Sequence, residues 1–342
     1  MSGRKVLLIS LGGTITMTRT ATGGIAPSLN AADLVRAVVG IENVADIETV
    51  SPLSMPGASL SIDNIVGVAA LIDARLGDDV DGVVVIQGTD TIEETAFLFD
   101  LLVCSERPVV VTGAMRGAEA PGADGPANVL AATIVAAARD ANGLGTLVVM
   151  NDEIHAARFV QKSHTALPSA FTSPLGGPLG IVVEGRARIH SRPVRQRQPI
   201  VAVTPADAPV ALIQMSLGDD GRMLSQMERL GYRGVVLEGM GAGHVPSIVA
   251  PIISDLVKAM PVILATRVHT GPAFTSTYGF PGSEIDLLHR GAISAGDLSS
   301  LKARLLLSIL LRNGADRNAI AAAFDVARPS AHPALNQEDR RA

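Results

Sequence analysis

Short, mostly apolar runs recur along the first half of the chain, and each stops at a glycine or a polar turn. Residues 5–11 end at Gly12-Gly13, 83–86 at Gln87-Gly88, 108–112 at Gly113, and 146–150 at Asn151-Asp152. Runs of this length without polar alternation mark strands buried on both faces, as in a parallel sheet. Helix-favouring stretches separate them. The pattern predicts helices over 31–39 with Asn30 as N-cap, from Asp63 to about residue 74, over 92–103, and over the alanine-rich 127–141. Residues 17–27 (MTRTATGGIAP) read as a flexible loop.

The periodicity lapses over 159–197, where Pro168, Pro174, Pro178 and Pro193 predict loops and short antiparallel pieces. It resumes after Pro209. Strands are expected at 210–215, 234–237 and 261–265, and helices at 223–230, 247–259, 298–312 and 316–324, with a loose polar tail beyond Pro329. Strand, turn and helix in repetition predict an α/β protein: a larger N-terminal, doubly wound, mostly parallel sheet domain (1–190), a linker (191–209) and a smaller C-terminal α/β domain (210–342). Ligands of such sheets bind at the carboxyl ends of the strands. Here those ends carry Gly13-Thr14, Gly88-Thr89-Asp90, Gly113-Ala114-Met115 and Asn151-Asp152. At 83–95 (VVVIQGTDTIEET) a buried strand delivers two hydroxyls and a carboxylate into a turn where a helix begins.

Composition narrows the function classes. The 342 residues are 47% hydrophobic but 3% aromatic, without tryptophan, so the core is expected to be aliphatic. Net charge is −5, and the densest basic stretch, 192–197, is short and interrupted by Pro193, which argues against nucleic acid as a partner. The lone Cys104 fits a reducing compartment, and the opening MSGRKVLLISLGGT reads as a first strand rather than a signal peptide. No apolar segment reaches membrane-spanning length, so a cytoplasmic location is expected. The seven histidines show no metal-ligand spacing, and GMGAGH (239–244) lacks the dinucleotide register, so neither metal nor cofactor is expected and a nicotinamide-dependent dehydrogenase is disfavoured.

Several motifs then act together. LGGTIT (11–16), QGTDTIEET (87–95), VTGAMR (111–116), ADGPAN (123–128), VVMNDE (148–153) and the spacing to Lys162 resemble the bacterial L-asparaginase/glutaminase amidohydrolase family, and RVHTG (267–271) and LKARLLL (301–307) extend the likeness to the C-terminal domain. The resemblance implies a primary nucleophile at Thr14, a second threonine at Thr89 with Lys162 as its basic partner, and Asp90 as the carboxylate that holds the substrate's ammonium. It also implies substrate contacts from Gly13, Gly88, Ala114 and Met115, and from Glu284 across a subunit interface, hence a homo-oligomer, a dimer or a dimer of dimers. The chemistry is consistent with this: a threonine hydroxyl needs a base or relay, and glycines beside both threonines let backbone N–H groups approach an oxyanion. The implied activity is cleavage of a small amino-acid side-chain amide, L-asparagine-like, to carboxylate and ammonia through an acyl-threonine.

Two positions depart from the family. The loop after the first strand has Ile25 where the family places a tyrosine, and MPGASLS (55–61) stands where the family has a substrate-binding Ser-Gln-Asp segment that reads the substrate's carboxylate, with Ser59 the candidate for the serine's role. The alternatives are the same chemistry on another small amide, or a catalytically silent amino-acid or amide sensor. Retention of Thr14, Thr89, Asp90 and Lys162 together favours the enzyme.

Overall fold

A computed structural model describes residues 3–13, 17–19, 25–27, 31–193, 200 and 207–325. Thr14, the Asn30 cap and the tail beyond Pro329 lie outside the described residues. The chain divides into two compact units, Met1–Val203 and Thr204–Ala342.

In the first unit the elements are β1 (Lys5–Ser10), β2 (Met17–Arg19), β3 (Ile25–Pro27), α1 (Ala31–Arg36), β4 (Asp46–Val50), α2 (Ile62–Asp78), β5 (Gly82–Ile86), α3 (Ile92–Leu102), β6 (Val109–Thr112), α4 (Gly125–Ala136), β7 (Thr146–Met150), β8 (Glu153–Ala156), β9 (Gln161–Lys162), β10 (Phe171–Thr172), β11 (Gly180–Val183) and β12 (Arg186–Ile189). Eight strands form one sheet in the order β12-β11-β8-β7-β6-β5-β1-β4. The five from β4 to β7 are parallel, and β8, β11 and β12 add antiparallel neighbours. The parallel part is a doubly wound sheet whose order reverses between β1 and β5. There the crossovers leave on opposite faces, and a crevice opens beyond the strand ends.

Burial follows the sequence pattern closely at the centre. Strands β5, β6 and β7 are buried at every position. Val6, Leu8, Val84, Ile86, Val110, Leu147 and Val149 point to the face covered by α1 and α4, while α2 and α3 pack on each other and on the other face. Ser61, not Asp63, opens α2: its hydroxyl accepts from Asn64 N–H at 3.1 Å, and Asn64 Oδ1 accepts from Ser61 N–H at 3.0 Å, a reciprocal cap. Helix α4 ends at Ala136 rather than near 141, and a separate 3-10 turn covers Arg139–Ala141. The expected loop at 17–27 contains a short antiparallel pair, β2 with β3, in which Ile25 faces Arg19 in register. The end of β7 is not a crossover into a helix. Asn151 and Asp152, both at positive φ (52° and 62°), make a two-residue hairpin into β8.

His155, on β8, is fully buried, with Nδ1 3.0 Å from Ser173 Oγ. Burial pushes its pKa down from 6.5 to about 4. Between those values the unfolded chain binds the proton and the folded chain does not, so stability present above pH 6.5 is lost as pH falls towards 4. The difference corresponds to roughly 3 kcal/mol. Urea unfolding at pH 7, 5.5 and 4.5 should show this loss in the wild type and a flatter profile in His155→Gln.

The second unit holds β13 (Val210–Gln214), β14 (Gly234–Gly239), α5 (Ala250–Ala259), β15 (Val262–Thr266), α6 (Glu284–His289), β16 (Ile293–Ser294), α7 (Ser300–Arg312) and α8 (Arg317–Asp325). The four strands are parallel in chain order. α5 covers one face with Leu224 and Met227, and α7 packs on β13, β14 and β15. The helix expected over 223–230 reduces to one 3-10 turn, Leu224–Gln226. Only two of its apolar side chains, three residues apart, are needed in the core, and one turn supplies them.

Candidate active site

The site is built where the sheet order reverses. The main chains leaving β1 and β5 come so close that only glycine fits. A Cβ on Gly13, whose φ is +96°, would lie 2.1 Å from Gly88 N and 2.4 Å from Gly88 Cα. After Gly88, residues Thr89–Thr91 form a 3-10 turn that leads directly into α3. Thr89 is thereby buried while Asp90 stays exposed.

Lys162 reaches this turn from β9. The two-residue strand pairs with β10, and Ser163 fastens it by donating both N–H (2.7 Å) and Oγ (2.8 Å) to Ala170 O. The loop between is closed by His164, whose Nδ1 accepts from the N–H groups of Ala166 and Leu167 at 3.0 and 3.2 Å. From this frame Lys162 Nζ donates to Thr89 Oγ1 at 2.9 Å and to Asp90 Oδ1 at 3.1 Å. The lysine side chain is 17% exposed and the aspartate 65%, so the ammonium is largely shielded and its counter-charge opens to solvent. A cavity of about 420 Å³ adjoins the pair, lined by Asp90, Lys162, Ser163, His164 and Thr165. That volume lies in the range of small-molecule sites.

The next strand end is held by residues to which the motif reading gave no role. Asp124 sits at the N-cap of α4 but caps none of that helix's N–H groups; its carboxylate accepts from Met115 N–H (3.0 Å), Arg116 N–H (2.9 Å) and Asn128 Nδ2 (3.1 Å). Asn128 donates Nδ2 to Gly113 O (3.0 Å) and accepts Asn151 N–H on Oδ1 (3.0 Å), so it ties the end of β6 to the end of β7. The signal was in ADGPAN: an aspartate ahead of Gly-Pro at a helix start, where a capping carboxylate is expected, and an asparagine one turn on.

This arrangement, a buried threonine hydroxyl bonded to a shielded lysine at the reversal point of a doubly wound sheet, can be compared with known proteins. Residues 5–195 match the family model described as asparaginase, N-terminal, and residues 209–324 match the glutaminase/asparaginase C-terminal domain. The chain belongs to the asparaginase family. The L-asparaginase of Bacillus licheniformis is 33% identical over 315 residues, spanning 90% of this chain and 95% of that one. A glutaminase-asparaginase of Pseudomonas fluorescens biotype A is 31% identical over 338 residues, 93% of this chain and 89% of that one. The crystal structure of a probable cytoplasmic L-asparaginase from Campylobacter jejuni superposes with a TM-score of 0.84 at 29% identity, covering 94% of this chain and 99% of that one.

Among the positions expected in this asparaginase-family site, Gly13, Gly88, Thr89, Asp90 and Lys162 come together in the first unit. Ala114 is buried at the end of β6, and Met115 N–H is taken by Asp124. Ser59 lies exposed on a 3-10 turn, Gly57–Ser59, that packs against the Thr89–Thr91 turn. Glu284 opens α6. It is fully buried in the second unit: Oε1 accepts from Thr277 N–H (2.9 Å) and Tyr278 N–H (2.6 Å), and Oε2 lies 3.2 Å from His244 Nε2. Burial pushes its carboxyl up, but the two backbone donors and His244 outweigh that and hold it below the usual glutamate value. His244 is packed edge-on by Tyr278 and Phe280, so Glu284 anchors an aromatic cluster within its own unit. Among the described residues no group of three or more His, Cys, Asp or Glu is arranged to hold a metal ion, and no helix is long and apolar enough to cross a membrane.

Proposed function

We propose that this chain is an amidohydrolase that releases ammonia from the side-chain amide of an asparagine-like amino acid through an acyl-threonine. The observation that carries the reading is Lys162 Nζ, within hydrogen-bond distance of both Thr89 Oγ1 and Asp90 Oδ1. A threonine hydroxyl attacks only if its proton has somewhere to go, and a positioned lysine–threonine–aspartate relay supplies that path. In the proposed sequence a threonine oxygen bonds to the amide carbon, the C–N bond breaks, and the relayed proton leaves with the nitrogen as ammonia. Water then attacks the ester and returns the threonine. Thr14 is assigned the attack, Thr89 and Lys162 the relay, and Asp90 the substrate's ammonium. Gly13, Gly88, Ser59, Ala114 and Met115 form the surrounding wall.

Both amide activities in the relatives' names, asparaginase and glutaminase-asparaginase, support the substrate class. The reading includes no cofactor, a cytoplasmic location and a homo-oligomer, a dimer or a dimer of dimers. The first test is ammonia release from L- and D-asparagine, L-glutamine and β-amides blocked at either end, with Thr14→Ala and Thr89→Val alongside. Release from one of them, lost in both variants, is the expected result. Silence across the panel, with a ligand still raising Tm, would replace the enzyme by a sensor.

A further inference from the structure

A second hydrogen-bonded chain leaves the Thr89 turn on the side of the Gly57–Ser59 turn. Gln87, buried at the end of β5, points Nε2 at Thr95 Oγ1 (3.2 Å) and Thr91 Oγ1 (3.3 Å). A primary amide nitrogen is donor only, so both hydroxyls accept from it and their own protons must go elsewhere. The Thr91 hydroxyl gives its proton to Gly57 O at 3.1 Å. Gly57 opens the turn that carries Ser59, and it lies so close to the Thr89 strand end that a Cβ there would be 2.9 Å from Gly88 O. The turn is closed on itself by Ser59 N–H to Pro56 O (2.9 Å). Its seat on the rest of the site therefore includes one side-chain bond, from Thr91, whose direction is set by Gln87.

We infer that Gln87 and Thr91 are positioning residues that fix the Gly57–Ser59 turn against Thr89 and thereby set how firmly the site holds the non-reacting end of its substrate. The inference rests on the amidohydrolase reading for the substrate, but the seating of the turn is independent of it. The chain Thr95–Gln87–Thr91–Gly57 ties the junction of β5 and α3 to a turn 34 residues away in sequence. Loss of one hydroxyl leaves Gly57 O without this donor and releases the turn.

The test is Thr91→Val, which keeps the shape and removes the hydroxyl, beside Thr91→Ser, which restores it. For the best amide we expect KM to rise at least tenfold in Thr91→Val with kcat within threefold of wild type, and to return within twofold in Thr91→Ser. Backbone hydrogen exchange over residues 57–60 should quicken at least tenfold in Thr91→Val while α3 stays protected. An unchanged KM, or a loss confined to kcat, overturns the substrate-holding role. If the wild type releases no ammonia from any amide, the amidohydrolase reading falls and exchange alone decides: quickening confined to 57–60 upholds the seating, and unchanged exchange overturns it.

Discussion

Replacing Lys162 with methionine is expected to lower kcat for ammonia release by roughly 10²–10⁴-fold while leaving the fold intact. Methionine reaches as far as the lysine's Cε and lacks the charged nitrogen that bonds Thr89 Oγ1 and Asp90 Oδ1. Asp90 is exposed enough to be solvated without its partner, so the change in stability should be within about 0.5 kcal/mol. Because lysine and threonine act as one unit, the double variant Lys162→Met/Thr89→Val should be no slower than the worse single variant. Arginine should not rescue: its planar fork cannot occupy the ammonium's place between two oxygens, and it does not release a proton. Steady-state kinetics and a thermal melt on the four proteins decide the matter. A Lys162→Met enzyme with near-normal kcat would remove the lysine from the reaction.

The largest stability effect is expected at Gly13. An alanine there would place Cβ 2.1 Å from Gly88 N, on backbone that has no room to shift because a Cβ at Gly57 or Gly113 would also meet the same crossing. With the added strain of a φ of +96°, Gly13→Ala should cost on the order of 3 kcal/mol or more. For a unit of this size that lowers Tm by roughly 6–12 °C. Activity should fall even in the fraction that remains folded, since Gly13 and Gly88 directly precede Thr14 and Thr89, the two threonines of the proposed reaction. Gly67→Ala is the matched control. It lies inside α2 with nothing within 4 Å of the added carbon, so the change should be neutral or stabilising by roughly 0.5–1 kcal/mol. Equal melting of the two variants would refute the crowded crossing.

The parts of this fold that were legible in sequence are those where burial acts on both sides of an element. β1, β5, β6 and β7 are apolar along their middles because helices cover both faces, and their ends stand out by contrast. β4, at the sheet's edge, is half exposed along its length and reads as DIETV, with no run to detect. β8 was hidden because the apolar end of β7 announces a strand end without saying whether a helix or a hairpin follows. The positive φ of Asn151 and Asp152 settles that locally. In the site, Thr89 and Asp90 were marked by their place at a strand–helix junction. Lys162 was not, since β9 has two residues and no period, and only the family spacing singled it out. The bonds from Asn128 to Asn151 and from Thr91 to Gly57 join segments 23 and 34 residues apart, and such polar contacts leave no periodic trace.

The separation of Thr89 from Lys162, 73 residues along the chain, governs how the protein acquires its chemistry. Closing so long a loop comes late in folding, after local helices and hairpins have formed. Between the two lie α3, β6, α4, β7 and β8, so the lysine arrives only when the whole half-sheet has assembled. A nascent or partly folded chain therefore carries an ordinary solvated lysine and an inert hydroxyl. On the proposed reading, the relay exists only in the completed sheet.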